Sequence, residues 1–187
     1  VLGVIIEGLA YKPLRAAPSL AVLITAIGVS YFLQNSALLI WGANPKAYSP
    51  VVEGAFKLFD GKLTISYIAL LTVVMCLVIM AALTFFTGKT KMGKAMRAVS
   101  EDAGAAQLMG ININNTISFT FAVGSALAGI GSVLYCCAYP KATPTMGSML
   151  GLKAFVAAVL GGIGSIPGAM VGGIAIGLCE CFVSAIG

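Results

Sequence analysis

The chain has 187 residues, of which 59% are hydrophobic and only 9% are charged. A soluble globular domain carries about 25% charged residues, so a water-soluble fold is excluded. The net charge of +5 does not point to nucleic acid, because the basic residues flank apolar runs, where they orient a chain against anionic headgroups. The expected class is an all-α, polytopic (multi-pass) transmembrane helix bundle, with membrane lipid as its immediate surroundings.

Four stretches contain no Asp, Glu, Lys or Arg: 16–45, 63–88, 103–140 and 154–179. Each is long enough to cross a bilayer, which takes about 20 apolar residues. The chain opens at Val1 rather than Met, with an apolar Val1–Ile6 that reads as the tail of a helix; a fragment lacking both ends is expected. Tyr11-Lys12-Pro13-Leu14-Arg15 is a basic connecting segment, and Pro18-Ser19 opens a first span over about 19–41 that ends at an interfacial Trp41. On one helical face of that span lie Thr25, Gly28, Phe32 and Asn35. They are candidates for a translocation path, or for plain interhelical hydrogen bonding.

The next loop, 42–62, mixes signs through Lys46, Glu53, Lys57, Asp60 and Lys62. A second span is expected over 63–88. Lys89, Lys91, Lys94 and Arg97 then follow without an intervening acid, the densest basic cluster in the sequence. That density assigns the loop 89–110 to the cytoplasm. Crossing parity then puts 11–15 inside and 42–62 outside, and a third span over 111–139 emerges on the outside again.

Within the cytoplasmic loop, Ser100-Glu101-Asp102 predicts a helix start, a hydroxyl cap followed by acids in the first turn. Gly110 is the predicted stop, giving a short helix over 101–109. Met92, Met96, Val99, Ala103 and Ala106 recur at a spacing of three to four and predict an apolar stripe; Arg97 and Glu101, four apart, are placed to pair. The segment is either a docking helix for a cytoplasmic partner or an interfacial helix lying on the membrane.

The last apolar run, 154–184, is interrupted at 160–168, where four glycines and a proline fall within nine residues. The backbone there is either a broken or re-entrant helix beside a transport site, which makes Gly161, Gly162, Gly164 and Ser165 path candidates, or a tight hairpin at the bilayer surface. Glu180 is the one acid in that run and is a functional candidate on that ground. Gly124, Ala128, Ser125, Gly129, Gly164, Gly168, Gly172, Gly173 and Gly177 are spaced for close helix approach.

There is no histidine, and no catalytic constellation, metal site or cofactor-binding motif can be assembled. Gly88-Lys89-Thr90 has the ending of a phosphate-binding loop, but Leu83 stands where the motif needs its first glycine. ATP hydrolysis is therefore not expected on this chain.

Taken together, Tyr11–Arg15, Leu23-Ile24-Thr25-Ala26-Ile27-Gly28, Arg97-Ala98 with Glu101-Asp102 leading to Leu108, Gly110, Ile111 and Asn112, and the stretch Gly151–Gly173 resemble the permease subunits of branched-chain amino acid ABC transporters. The resemblance covers essentially the whole chain as one transmembrane permease domain, 1–187. It implies a subunit of the inner (plasma) membrane that forms the translocation path and pairs with a second permease subunit. It further implies cytoplasmic ATP-binding subunits and an extracytoplasmic substrate-binding protein as partners. Carried over residue by residue, the ATPase-coupling loop comprises Arg97, Glu101, Asp102, Leu108, Gly110 and Ile111. The general importer motif, Glu-Ala-Ala with a later glycine and Leu-Pro, is not reproduced: Asp102-Ala103 follows Glu101 and no Leu-Pro occurs. The rival readings are a permease for another small solute, such as a sugar, and a gradient-driven transporter.

Overall fold

The computed structural model describes residues 1–47, 49, 54–58, 61 and 63–187. Glu53, Asp60 and Lys62 of the mixed-sign loop lie outside the described residues. The chain divides into two compact units, Val1–Glu53 with Thr87–Pro144, and Gly54–Phe86 with Thr145–Gly187.

In the first unit, α1 (Leu2–Ile6) passes into a π-helical turn (Glu7–Tyr11) and a 3₁₀ turn (Lys12–Leu14), and then α2 (Ser19–Trp41) begins. A 23-residue helix is about 34 Å long, enough to cross the roughly 30 Å hydrocarbon layer. Gly42, with φ of 80°, ends α2, as a residue without Cβ can do at no steric cost. Strand β1 (Lys46–Ala47) follows. The unit resumes with α4 (Lys91–Glu101), α5 (Ala103–Leu108), α6 (Ile113–Ala138) and β4 (Lys141–Ala142). β1 pairs antiparallel with β4, Lys46 opposite Ala142, so the ends of α2 and α6 meet. At the other end, Arg15 is hydrogen-bonded to Asn114. The two spans thus run in the same direction within this unit, the relation crossing parity requires of them.

The second unit holds β2 (Ala55–Leu58), β3 (Leu63–Ser66), most of α3 (Tyr67–Lys89), α7 (Met146–Gly161) and α8 (Ile166–Ile186). The second span, expected from residue 63, starts at Tyr67. Leu63-Thr64-Ile65-Ser66 alternates apolar and polar with a period of two and forms the β2–β3 hairpin, Leu58 opposite Leu63. These short strands are additions to an otherwise helical fold.

The run 154–184 is folded as two helices. Gly161 and Gly168 touch through their backbones, as do Ala157 and Gly172, and Lys153 meets Glu180. These contacts converge on one turn and make α7 and α8 an antiparallel hairpin. A Cβ on Gly161 would fall 2.0 Å from the Gly168 carbonyl oxygen, and one on Gly172 would fall 2.3 Å from that of Ala157. Small residues therefore set the interhelical distance, as lipid-embedded helices require in the absence of apolar burial.

Among the described residues, four helices, Leu20–Trp41, Tyr67–Lys89, Ile113–Ala138 and Ile166–Ile186, are long and apolar enough to cross a membrane. Among the described residues the buried apolar side chains are Ile68, Ala106, Cys137 and Ala157. So small a core cannot hold a water-soluble fold, and the apolar helix faces are turned outward to lipid or to other helices.

Gly172→Ala should destabilise the hairpin by about 1–3 kcal/mol through overpacking, despite the better helix propensity of alanine. Gly177, whose Cβ direction is open, should accept alanine without loss. Thermal unfolding in detergent distinguishes the two; equal midpoints would contradict the hairpin contact.

Candidate functional site

The loop between α3 and α6 is built as two short helices with each end closed by a side chain or a glycine. Thr90 is extended and its Oγ1 accepts from the Gly93 amide at 3.1 Å, starting α4. Lys91, Lys94 and Arg97 are exposed, while Gly93 is buried and Met92, Met96 and Val99 are half-buried. The stripe expected from residue 92 therefore holds at Met92, Met96 and Val99, and again at Ala106, which is buried. Ala103 alone falls outside it and is exposed, because the helix breaks one residue earlier at Asp102.

That break corrects the expected helix start. Asp102, not Ser100, is the cap: it leaves helical geometry at φ −150°, ψ 104°, and its Oδ1 accepts from the Ala105 amide at 3.0 Å. Ser100 stays inside α4 and its hydroxyl donates to the Arg97 carbonyl at 2.7 Å. A carboxylate at a helix N-terminus accepts a charge-assisted hydrogen bond, which favours Asp102 over the serine hydroxyl. Glu101 is left as the last residue of α4, exposed. Arg97 and Glu101 do not form the expected ion pair; both point to solvent on α4.

Gly110 ends α5 as predicted, with φ of 85°. Its amide donates to the Gln107 carbonyl and the Ile111 amide to that of Ala106, the paired bonds of a Schellman cap. Ile111 is half-buried and Ala106 buried, 3% exposed, so the cap carries its own small apolar contact. Asn112 then starts α6 by accepting from the Asn115 amide at 3.3 Å. The result is a rigid bend presenting Leu108, 90% exposed, and Met109, 83% exposed. A groove of about 530 Å³ lies between α4 and α5, lined by Lys94, Ala98, Glu101, Ala105 and Met109 among others. Exposed apolar knobs beside a basic ridge and two acids suit a protein partner better than water.

Behind this bend sits a polar cluster that sequence reasoning missed. Glu7, 2% exposed, pairs with Arg15 and accepts from the Ser118 hydroxyl at 3.0 Å, while Arg15 also donates to Asn114. Tyr11 stacks on Phe121 with ring centroids 5.1 Å apart, and burial holds its phenol above the usual pKa. The cluster ties the segment before α2 to the first turn and a half of α6. A groove of about 860 Å³, lined by Tyr11, Leu14, Gln107 and Ile111 and by the bonded pair Arg15 and Asn114, lies next to the α5 cap. The available signal was an acid immediately after an apolar run, with an arginine eight residues on.

The candidate path residues satisfy their own backbone. Thr25 Oγ1 donates to the Ala21 carbonyl at 2.9 Å and Asn35 Nδ2 to that of Tyr31 at 2.8 Å, both within α2. In the second unit, Gly162 and Gly164 turn the hairpin at φ of 90° and 96°. Ser165 caps α8 by accepting from the Gly168 amide at 3.2 Å, and Gly161 is the α7 end of the hairpin contact. Each of these four has a structural role.

The family of the branched-chain amino acid transport system / permease component matches residues 1–187. The chain belongs to this family. The permease protein BraD of the high-affinity branched-chain amino acid transport system of Pseudomonas aeruginosa is 44% identical over 183 residues, 96% of this chain and 60% of that protein. LivH of Escherichia coli, a permease protein of the same kind of system, is 42% identical over 183 residues, 96% of this chain and 59% of that protein. The ribose import permease protein RbsC of Haemophilus influenzae is 29% identical over 106 residues, 54% of this chain and 33% of that protein. The chain thus spans about 60% of the length of the first two relatives. No solved structure matches it.

Breaking the buried pair from one side should be severe. Arg15→Met leaves Glu7 charged and enclosed, and about 3–5 kcal/mol is the usual cost of such a loss. Glu7→Gln combined with Arg15→Met should recover much of it in thermal unfolding. A double variant as unstable as the single one would contradict the pairing.

Proposed function

We propose that this chain is a membrane-spanning permease subunit of an ATP-driven importer of branched-chain amino acids, seated in the inner (plasma) membrane. The observation that carries the reading is the 44% identity to BraD across 96% of the chain. LivH, at 42% over the same share, supports it. The chain contributes part of the translocation path and works with a second permease subunit and an extracytoplasmic substrate-binding protein. ATP is hydrolysed on separate cytoplasmic ATP-binding subunits.

The α4–α5 bend is the docking surface for such a subunit. Two capped helix ends hold it rigid, and Leu108 and Met109 stand out as anchors, the kind of apolar side chain that fills a partner's pocket. Lys91, Lys94 and Arg97 orient the approach electrostatically, and Glu101 and Asp102 mark the corner. Arg15, Glu7 and Asn114 link the base of the bend to the segment leading into α2, so a push on α5 is passed to two spans. A sugar permease would share this bend, but the ribose relative matches only 54% of the chain at 29%, and the amino acid reading is favoured. A gradient-driven transporter would have no use for an exposed docking bend.

Uptake of labelled leucine, isoleucine and valine by the full-length subunit in vesicles with its partners tests this. Uptake should require ATP, resist competition by ribose, and fall at least about tenfold in Glu101→Lys and in Leu108→Asp while both variants remain in the membrane. ATP-independent uptake, or unaffected variants, would overturn the docking assignment.

A further inference from the structure

The charges of α4 run against the helix's own dipole. Lys91 opens the helix and Lys94 follows in its first four residues, while Glu101 is its last residue. A helix macrodipole favours acids at the N-terminus and bases at the C-terminus. All three side chains therefore stand at the end where they weaken the helix. None of them has an ion-pair partner among the described residues. Local stability gives no reason for this order of charges.

The same three residues line one groove, the trough of about 530 Å³ between α4 and α5. Lys91 and Lys94 lie toward one end of it and Glu101 and Asp102 toward the other, with Ala98 and Ala105 between them. All four charged residues are exposed. At 1.5 Å per residue, Lys91 and Glu101 are set about 15 Å apart along α4. Arg97, the remaining charge of α4, does not line the groove. The trough is thus positive at one end, negative at the other, and floored by small apolar side chains that leave room for larger ones. Anionic lipid headgroups would suit the lysines but would be repelled by Glu101 and Asp102 in the same groove. A protein segment carrying both signs suits both ends.

We infer that this groove receives an apolar segment of the ATP-binding subunit in one direction only, with an acidic side chain of that segment against Lys91 and Lys94 and a basic one against Glu101 and Asp102. This rests on the importer reading and adds to it the chemistry and the direction of the partner segment. Apolar anchors such as Leu108 hold a partner without telling its two directions apart. A polarised groove does tell them apart, because the reversed segment sets like charges against each other at both ends. The charge order that weakens α4 on its own is thereby put to use in recognition.

The test is the affinity of the full-length permease in lipid nanodiscs for its ATP-binding subunit, measured beside the thermal unfolding of the permease alone. Two variants are compared, Lys91→Glu combined with Lys94→Glu, and Glu101→Lys. Each moves charge to the helix end that the macrodipole favours, so the unfolding midpoint should hold or rise. Affinity should nevertheless fall at least about tenfold in both, although one variant makes the bend more acidic and the other more basic.

Affinity that falls in the lysine variant but rises in Glu101→Lys overturns the proposal, since a uniformly acidic partner surface gives that pattern. Unchanged affinity in the lysine variant also overturns it and leaves those side chains to lipid headgroups, and unchanged affinity in Glu101→Lys removes the negative end. A midpoint that drops along with affinity in both variants makes the charges a structural support and overturns it as well. Leu108→Asp, measured in parallel, separates the two levels. Loss of affinity there together with any of these results rejects the directional groove alone. No affinity of the unaltered permease for the ATP-binding subunit rejects the docking reading, and the groove with it.

Discussion

Hydrocarbon offers backbone amides and carbonyls no hydrogen-bond partner, and this constraint shapes nearly every element of the structure. Spans must be helices, because a helix satisfies its own interior. The cost is concentrated at helix ends, where four donors or four acceptors are left over. The chain closes them locally: Thr90, Asp102, Asn112 and Ser165 each accept from an amide three residues on, and Gly42, Gly110 and Gly162 turn helices off in positive φ. Hydroxyls inside the spans follow the same rule, with Thr25, Thr72, Thr116, Thr120 and Ser125 donating to the carbonyl four residues back.

Charge obeys a related rule. The basic residues of α4 are exposed, and among the described residues Glu7 is matched with Arg15 and Glu180 with Lys153. The first pair is enclosed and hydrogen-bonded further by Ser118 and Asn114, which makes it a fastening between chain segments. The second is half open and borders an apolar groove.

Much of the fold was legible because apolar length and charge placement are properties of the chain itself. Helices lie within a residue or two of the limits expected for the first and third spans, and Gly110 stops its helix as its lack of Cβ suggests. Other features depended on competition or on distance. Ser100 and Asp102 are both good caps, and only the stronger carboxylate acceptor decided between them. Residues 63–66 are apolar enough to extend a span, yet their period of two and the partner strand at 55–58 pulled them into a hairpin. The run 154–184 is broken between Gly161 and Ile166, as its glycines and proline suggest, but the Gly161–Gly168 and Ala157–Gly172 contacts that fold its two halves together are invisible locally. Glu7 went unremarked since its partners lie eight, and more than a hundred, residues away.

The central claim is that the α4–α5 bend faces the cytoplasm and receives an ATP-binding subunit. Thiol labelling of Leu108→Cys tests it most directly, using a membrane-impermeant reagent on full-length permease in vesicles of known orientation and the unaltered chain as background for its own cysteines. The account predicts labelling from the cytoplasmic face alone, and protection when the ATP-binding subunit is added back to stripped membranes. Labelling from the opposite face, or labelling indifferent to the subunit, would contradict it.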